Sequence, residues 1–229
     1  MQELDSRRYE LPPPGEAVQV LEGEFAPDAV RKLTEWGYLA SEISLEEVEP
    51  ARLGERGRLW EPNPWLAECI QGVRPGSALD VGCGQGREVV WLAHLGWQVT
   101  GVDNRRPMLA KAAALWKRYG DGKPPRLELL DAEKQPIPGK FELVLAAFFY
   151  RPGLLKTLAE AVGPGGRLVI EAFHPEHRLR IGKPDDPMSA LDPSLARHEI
   201  EPTGLNLLRF ESGESRGRWT TRLLAIRPD

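Results

Sequence analysis

From Ser77 onward the chain alternates short apolar runs with amphipathic ones. SALDV (77–81), WQVTGVD (97–103), RLELLD (126–131), FELVLAAF (141–148) and GRLVIEAF (166–173) are nearly continuous in apolar residues. That is the pattern of strands buried on both faces. Between them, residues 85–95 bring Val89, Val90, Leu92, Ala93 and Leu95 together, and residues 105–118 and 152–162 read as further helices. Strands alternating with helices predict an α/β fold, a mostly parallel sheet with helices on both faces and right-handed crossovers. The ending breaks the rhythm. GLNLLRFESG (204–213) and GRWTTRLLAIRP (217–228) are two strand-like runs joined by a short turn. They predict an antiparallel hairpin at the edge of the sheet.

The first 60 residues follow another pattern. AVQVLEG (17–23) and YLASEISL (38–45) read as strands, and PDAVRKLTEWGY (27–38) as a helix with Ala29, Val30, Leu33 and Trp36 on one face. This small β/α extension is too short for a self-sufficient core, so it is expected to pack on the main domain. Residues 1–15 read as a polar arm, poorly ordered or extended. Residues 49–64, rich in Pro, Gly and Arg, read as a linker or a lid, with a helix over 64–72. The expected division is an extension over 1–60 and a main domain over 61–229.

Composition narrows the function classes. The 229 residues carry a net charge of −4, so no global basic field draws the chain to nucleic acid. Cys69 and Cys83 form no CxxC pair, which argues against a metal knuckle and for reduced thiols in the cytoplasm. The N-terminus lacks the apolar core of a signal peptide. The longest apolar stretch, around Leu143 to Tyr150, is too short to span a bilayer.

The chemistry concentrates in LDVGCGQGRE (79–88). A strand running through glycines into a helix presents free N–H groups and the positive end of a helix dipole. The dinucleotide fingerprint is G-x-G-x-x-G. Here Gly82, Gly84 and Gly86 alternate around Cys83, and Arg87 stands where the third fingerprint glycine belongs. Asp80 ahead of the loop repels a polyphosphate but suits an ammonium group. Asp103 ends the next strand, where a carboxylate accepts ribose hydroxyls. Asp131 ends the third and is placed for an adenine amino group, or serves as a plain turn residue. Acids at three successive strand ends describe a ligand with a ribose, an amino-bearing base and a positive charge.

The ordered series LDVGCGQGRE, VTGVD, LELLDA, FELVLAAFF and LAEAVGPGGRLVIEAF resembles the class I S-adenosylmethionine-dependent methyltransferases over roughly residues 64–229. GCGQGRE, WLAHLGWQVTGVD and EAFHPEHRLRIGKP are most similar to the tellurite-resistance/thiopurine-type branch. The segment before residue 60 faintly resembles a remnant of a rhodanese-like domain without its cysteine loop. The resemblance implies a Rossmann-like sheet of seven strands with the last antiparallel. It implies S-adenosyl-L-methionine as cofactor. Asp80 and the Gly82–Gly86 backbone, including Cys83 and Gly84, would hold the methionine part, with Arg87 reaching its carboxylate or pairing with Glu88 or Asp103. Asp103 would hold the ribose, and Asn104 would lie beside the adenosine. Asp131 and Ala132 would meet the adenine edge, and Ala146 and Phe148 the methyl side.

The acceptor is expected to be a small molecule, with nucleic acid disfavoured and no membrane or metal role. No NPPY-type motif follows the fourth strand of the main domain, where AAFFYRP stands instead. His174 and Tyr150 are the candidate substrate-facing groups. His174 and His177, spaced HxxH in a loop, read as surface or substrate-orienting residues rather than metal ligands. Residues 178–186 (RLRIGKPDD) read as a charged loop or a lid. A cofactor-binding scaffold without catalysis is the alternative reading. Oligomeric state is not legible.

Overall fold

A computed structural model describes residues 4–5, 7–11, 14–47, 60–215 and 217–229. Most of the expected linker, Arg58 included, lies outside them. The chain divides into two units, residues 1–61 and 62–229.

In the first unit β1 (Ala17–Leu21) and β2 (Leu39–Ile43) pair in parallel across α1 (Ala26–Glu35). Pro27 occupies the first turn of α1, where its missing N–H costs nothing. Leu33 from α1 packs with Leu11 and Tyr38 in a small core.

The second unit contains α2 (Pro64–Cys69), β3 (Ser77–Val81), α3 (Arg87–His94), β4 (Gln98–Asp103), α4 (Arg106–Tyr119), β5 (Arg126–Leu129), β6 (Phe141–Ala147), α5 (Leu154–Ala161), β7 (Val162–Phe173), α6 (Pro175–Ile181), α7 (Pro193–Ile200), β8 (Asn206–Ser215) and β9 (Arg218–Ile226). The seven strands lie in the order β5-β4-β3-β6-β7-β9-β8, and β9 runs antiparallel to β7 and β8. Alternation along each strand feeds two cores. Leu79, Val81, Val144, Ala146 and Ile170 face α5 and α7. Ala78, Leu143, Leu145 and Val169 face α2 and α3. All nine are at most 3% exposed, and each contributes about 1.5–3 kcal/mol for the larger side chains.

The strand order turns back on itself between β3 and β6. In an open α/β sheet the crevice at such a switch point lies beyond the carboxyl ends of the strands. The expected elements are present, with three differences that matter there. β5 ends at Leu129, two residues short of Asp131. β6 ends at Ala147, and Phe148 leaves the strand with φ +54°. Residues 175–181, expected to lead into a charged loop, are helical. His174 caps that helix by accepting from the Glu176 N–H at 2.9 Å, Pro175 fills its first position, and Gly182 ends it at φ +77°. β7 also starts at Val162 rather than residue 166, because Val162 pairs with Phe141 and GPGG (163–166) falls in the register shift before Leu143 pairs with Arg167.

On the α2 and α3 face, Glu171 is 4% exposed and held from two sides. Arg222 donates to Oε1 at 2.7 Å and the Asn63 side-chain amide to Oε2 at 2.6 Å. Asn63 also caps α2, accepting from the Leu66 N–H at 3.0 Å. Among the described residues no helix is long and apolar enough to cross a membrane.

Candidate functional site

The glycine loop leaves β3 and turns into α3. Gly82 has φ +71°, and a Cβ there would lie 2.4 Å from Cγ of Phe149. At Gly86 a Cβ would lie 2.6 Å from Cβ of Ala112 on α4. These two glycines are therefore demanded by the protein's own packing, on either side of the loop. Gly84 has open space instead, and its N–H donates to Oδ2 of Asp103 at 3.0 Å. Oδ1 of Asp103 accepts from the Arg105 N–H at 2.8 Å. Asp103 thus pins the glycine loop to the end of β4, with lone pairs remaining on both oxygens for a ligand.

A cavity of about 410 Å³ opens beyond the ends of β3, β4 and β6. Gly82, Asp103, Asn104, Ala132, Phe148 and Tyr150 line it, together with Arg105, Phe149, Arg151 and Ser189, which no sequence motif marks as ligand-facing. Phe148 is the only non-glycine residue with positive φ among the described residues. Left-handed backbone costs about 1–2 kcal/mol without glycine. Phe148 is held there by its N–H donating to the Glu171 carbonyl at 2.6 Å and by its ring against Phe173, with centroids 4.8 Å apart. Such over-determined strain clusters at functional sites.

Asp80 lies under the loop, one residue before the cavity wall at Val81. It is 2% exposed, and its Oδ2 is buried without a hydrogen-bond partner. Burial, then the charges of Glu88 and Asp103, holds its carboxyl well above the usual carboxylate range. Cys83 is also buried, which pushes its thiol up and leaves it unreactive. Arg87 is the first residue of α3.

The remaining candidates separate from the cavity. Ala146 sits in the core at 1% exposure. Asp131 belongs to a turn: Oδ1 accepts from the Glu133 N–H at 3.1 Å and Oδ2 from Lys134 at 2.9 Å. The Lys134 bond, ahead of the turn's N–H, lowers its pKa. It borders a second, shallower depression shared with Asn104.

Tyr150 lines the cavity with its ring, but its hydroxyl donates to Oε1 of Glu199 at 2.7 Å. Burial and that carboxylate raise its pKa, so it is no proton acceptor for a substrate. The hydroxyl is expected to be structural. Tyr150→Phe should lower stability by about 1 kcal/mol in denaturant unfolding, because the Gly153 N–H at 2.9 Å still occupies Oε1 of Glu199.

His174 spends Nδ1 on the Glu176 N–H, so in the neutral ring Nε2 carries the proton and donates. His177 is 6% exposed and stacks on Phe173 at 4.7 Å, and burial lowers its pKa. Among the described residues no group of three or more His, Cys, Asp or Glu could hold a metal ion.

Arg151, outside every motif, ties the cavity mouth together. It reaches Glu133 at 3.5 Å, Asp186 at 3.3 Å and the Tyr150 carbonyl at 3.2 Å, and it also bonds the Ser189 hydroxyl.

Residues 78–166 match the family model described as a methyltransferase domain. The sheet and that segment have the fold of a class I S-adenosylmethionine-dependent methyltransferase. Among curated proteins, ribosomal RNA small subunit methyltransferase C of Alcanivorax borkumensis is 37% identical over 84 residues, 35% of this chain and 26% of that one. An uncharacterised protein of Schizosaccharomyces pombe is 27% identical, over 62% of this chain and 59% of its own. The chain thus spans about a quarter and three fifths of these two relatives. Among solved structures, the magnesium protoporphyrin IX methyltransferase of Synechocystis with bound S-adenosylmethionine superposes with a TM-score of 0.57 at 22% identity, covering 71% of this chain and 76% of that one. TehB of Haemophilus influenzae gives 0.59 at 19% identity, covering 72% and 62%.

Proposed function

We propose that this chain is an S-adenosylmethionine-dependent methyltransferase acting on a small molecule in the cytoplasm, in the tellurite-resistance/thiopurine-type branch. One observation carries the cofactor half of this reading. Asp80 buries a carboxylate oxygen with no partner at the one strand end where a methionine ammonium would lie. A pyrophosphate there would meet a second negative charge. The remaining lone pairs of Asp103 suit the ribose hydroxyls, and Asn104 and Ala132 on the cavity wall suit the adenosine. Asp131 does not line the cavity, so the adenine edge falls to the cavity-lining Ala132 rather than to that carboxylate.

Bound S-adenosylmethionine supplies an electrophilic methyl carbon. The protein's part is alignment and the exclusion of water. Phe148 and Phe149 provide apolar wall on that side of the cavity. His174 orients rather than abstracts, because its only unengaged nitrogen is a donor. The acceptor must therefore be nucleophilic without a base from this ring.

A concave cavity of about 410 Å³ and a net charge of −4 support a small acceptor over RNA. The small parallel β-α-β unit is compatible with a rhodanese-like remnant. Calorimetric titration should give micromolar S-adenosylhomocysteine binding, with no NAD binding. Binding of NAD alone would overturn the reading. Binding with no methyl transfer to a small-molecule panel would favour the scaffold alternative. Transfer to ribosomal RNA only would replace the acceptor.

A further inference from the structure

Three segments far apart in the sequence meet at Arg151. The first is the turn after β5, where Ala132 and Glu133 line the cavity. That turn is fixed from within: Oδ1 of Asp131 accepts from the Glu133 N–H, and the Asp131 carbonyl accepts from the Lys134 and Gln135 N–H groups. The second is residues 186–191. Asp186 caps their 3₁₀ turn through Oδ1, which accepts from the Met188 N–H at 2.9 Å, and turns Oδ2 to Arg151. Ser189 lines the cavity. Leu191 donates its N–H to the Phe173 carbonyl at 2.7 Å, and its own carbonyl accepts from the Thr221 hydroxyl at 2.7 Å. The third is the chain at Tyr150, anchored by its hydroxyl to Glu199 on α7.

All three guanidinium nitrogens of Arg151 are in use. Nε faces Glu133, one terminal nitrogen faces Asp186, and the other donates to Ser189 and to the Tyr150 carbonyl. A planar fork can serve three directions at once, and a lysine ammonium cannot. The side chains of Arg151, Glu133 and Asp186 are 30%, 36% and 49% exposed, so each ion pair adds little to stability. What the fork supplies is a link between two cavity walls, one carrying Ala132 and the other Ser189.

We propose that Arg151 is a positioning residue that straps the adenine-side turn to the Asp186–Ser189 segment, so that both walls close on the cofactor together and its release requires the strap to open. This deepens the proposed function and rests on it for the place of the adenine. Arg151 acts through Glu133 and Asp186, and only hydrogen bonds and ion pairs change. Loss of either end opens the strap, so the two ends are coupled through one guanidinium. Opening of such elements, rather than chemistry, sets the turnover of many enzymes.

The test is surface plasmon resonance of the immobilised full chain with S-adenosylhomocysteine and with 5′-methylthioadenosine, which lacks the amino-acid part. Arg151→Lys keeps the charge and loses the fork. It should raise both off-rates about tenfold, because loss of a bridging contact acts mainly on dissociation. Its melting temperature should stay within about 2 °C of wild type, which a merely structural role would not allow. Glu133→Gln and Asp186→Asn should each raise the off-rates. The double variant should be no faster than the faster single one, and neither change should add to Arg151→Lys. Should Arg151→Lys fail to fold, the single and double variants of the two acids decide alone. Wild-type off-rates in Arg151→Lys would overturn the proposal and spare the methyltransferase reading. So would acid variants whose effects multiply, or an effect confined to S-adenosylhomocysteine. Binding of neither nucleoside by the wild-type chain would overturn the methyltransferase reading, and the proposal with it.

Discussion

Asp80→Asn should bind S-adenosylhomocysteine at least about 30-fold more weakly than the wild-type chain, while melting higher without ligand. The affinity loss follows from removing one partner of a buried, charge-assisted contact, worth about 2–5 kcal/mol. The gain in melting temperature follows from the same atom. Asp80 is 2% exposed and its Oδ2 has no hydrogen bond, so ionising it on folding is a cost. For a chain of this length each kcal/mol moves the melting temperature by about 2–4 °C.

The pH dependence gives a second check. The folded-state pKa of Asp80 is raised, first by burial and then by Glu88 and Asp103. The folded chain therefore binds more protons than the unfolded one above the ordinary carboxylate range. Stability is full below that range and falls as pH rises through the folded pKa. The melting-temperature gap between Asp80→Asn and wild type should widen from pH 5 to pH 8. A variant that melts lower at pH 8 and binds normally would remove Asp80 from the site.

The loop carrying Asp80 is legible because its requirements are local. A buried strand, positive-φ glycines and a helix start follow one another in ten residues. Even so, the glycines prove to have different causes. Those at 82 and 86 are excluded volume against Phe149 and Ala112, and only Gly84 faces open space. What is not legible arises from contacts across the sheet. Phe148 belongs to an apolar run that reads as strand to its end. Its left-handed turn is set by the Glu171 carbonyl and the Phe173 ring, both on β7. Arg151 meets Glu133 and Asp186 from segments 18 and 35 residues away, which no spacing rule connects. Asp131 shows the converse: an acid near a strand end whose nearest partners, Glu133 and Lys134, are two and three residues on. His174 illustrates how a local rule hides a role. The ring that reads as substrate-facing in the sequence is the cap of a helix where the sequence predicts a loop.

Asp103→Asn should fail in the opposite direction on stability and more broadly on binding. Both carboxylate oxygens of Asp103 accept a backbone N–H, from Gly84 at 3.0 Å and from Arg105 at 2.8 Å. An amide has one acceptor. Whichever N–H then faces the new NH₂ group loses its partner at a site 5% exposed, at a cost of about 1–3 kcal/mol. The glycine loop loosens from the end of β4, and the ribose hydroxyls lose an anionic acceptor, together about 100-fold or more in affinity. The ribose is common to S-adenosylhomocysteine and 5′-methylthioadenosine, so both should weaken alike. Asp80→Asn should spare the second of these, because it lacks the ammonium. The two variants thus cross in both readouts: one melts higher and discriminates between the nucleosides, the other melts lower and does not. Normal 5′-methylthioadenosine binding in Asp103→Asn would move the ribose away from this carboxylate.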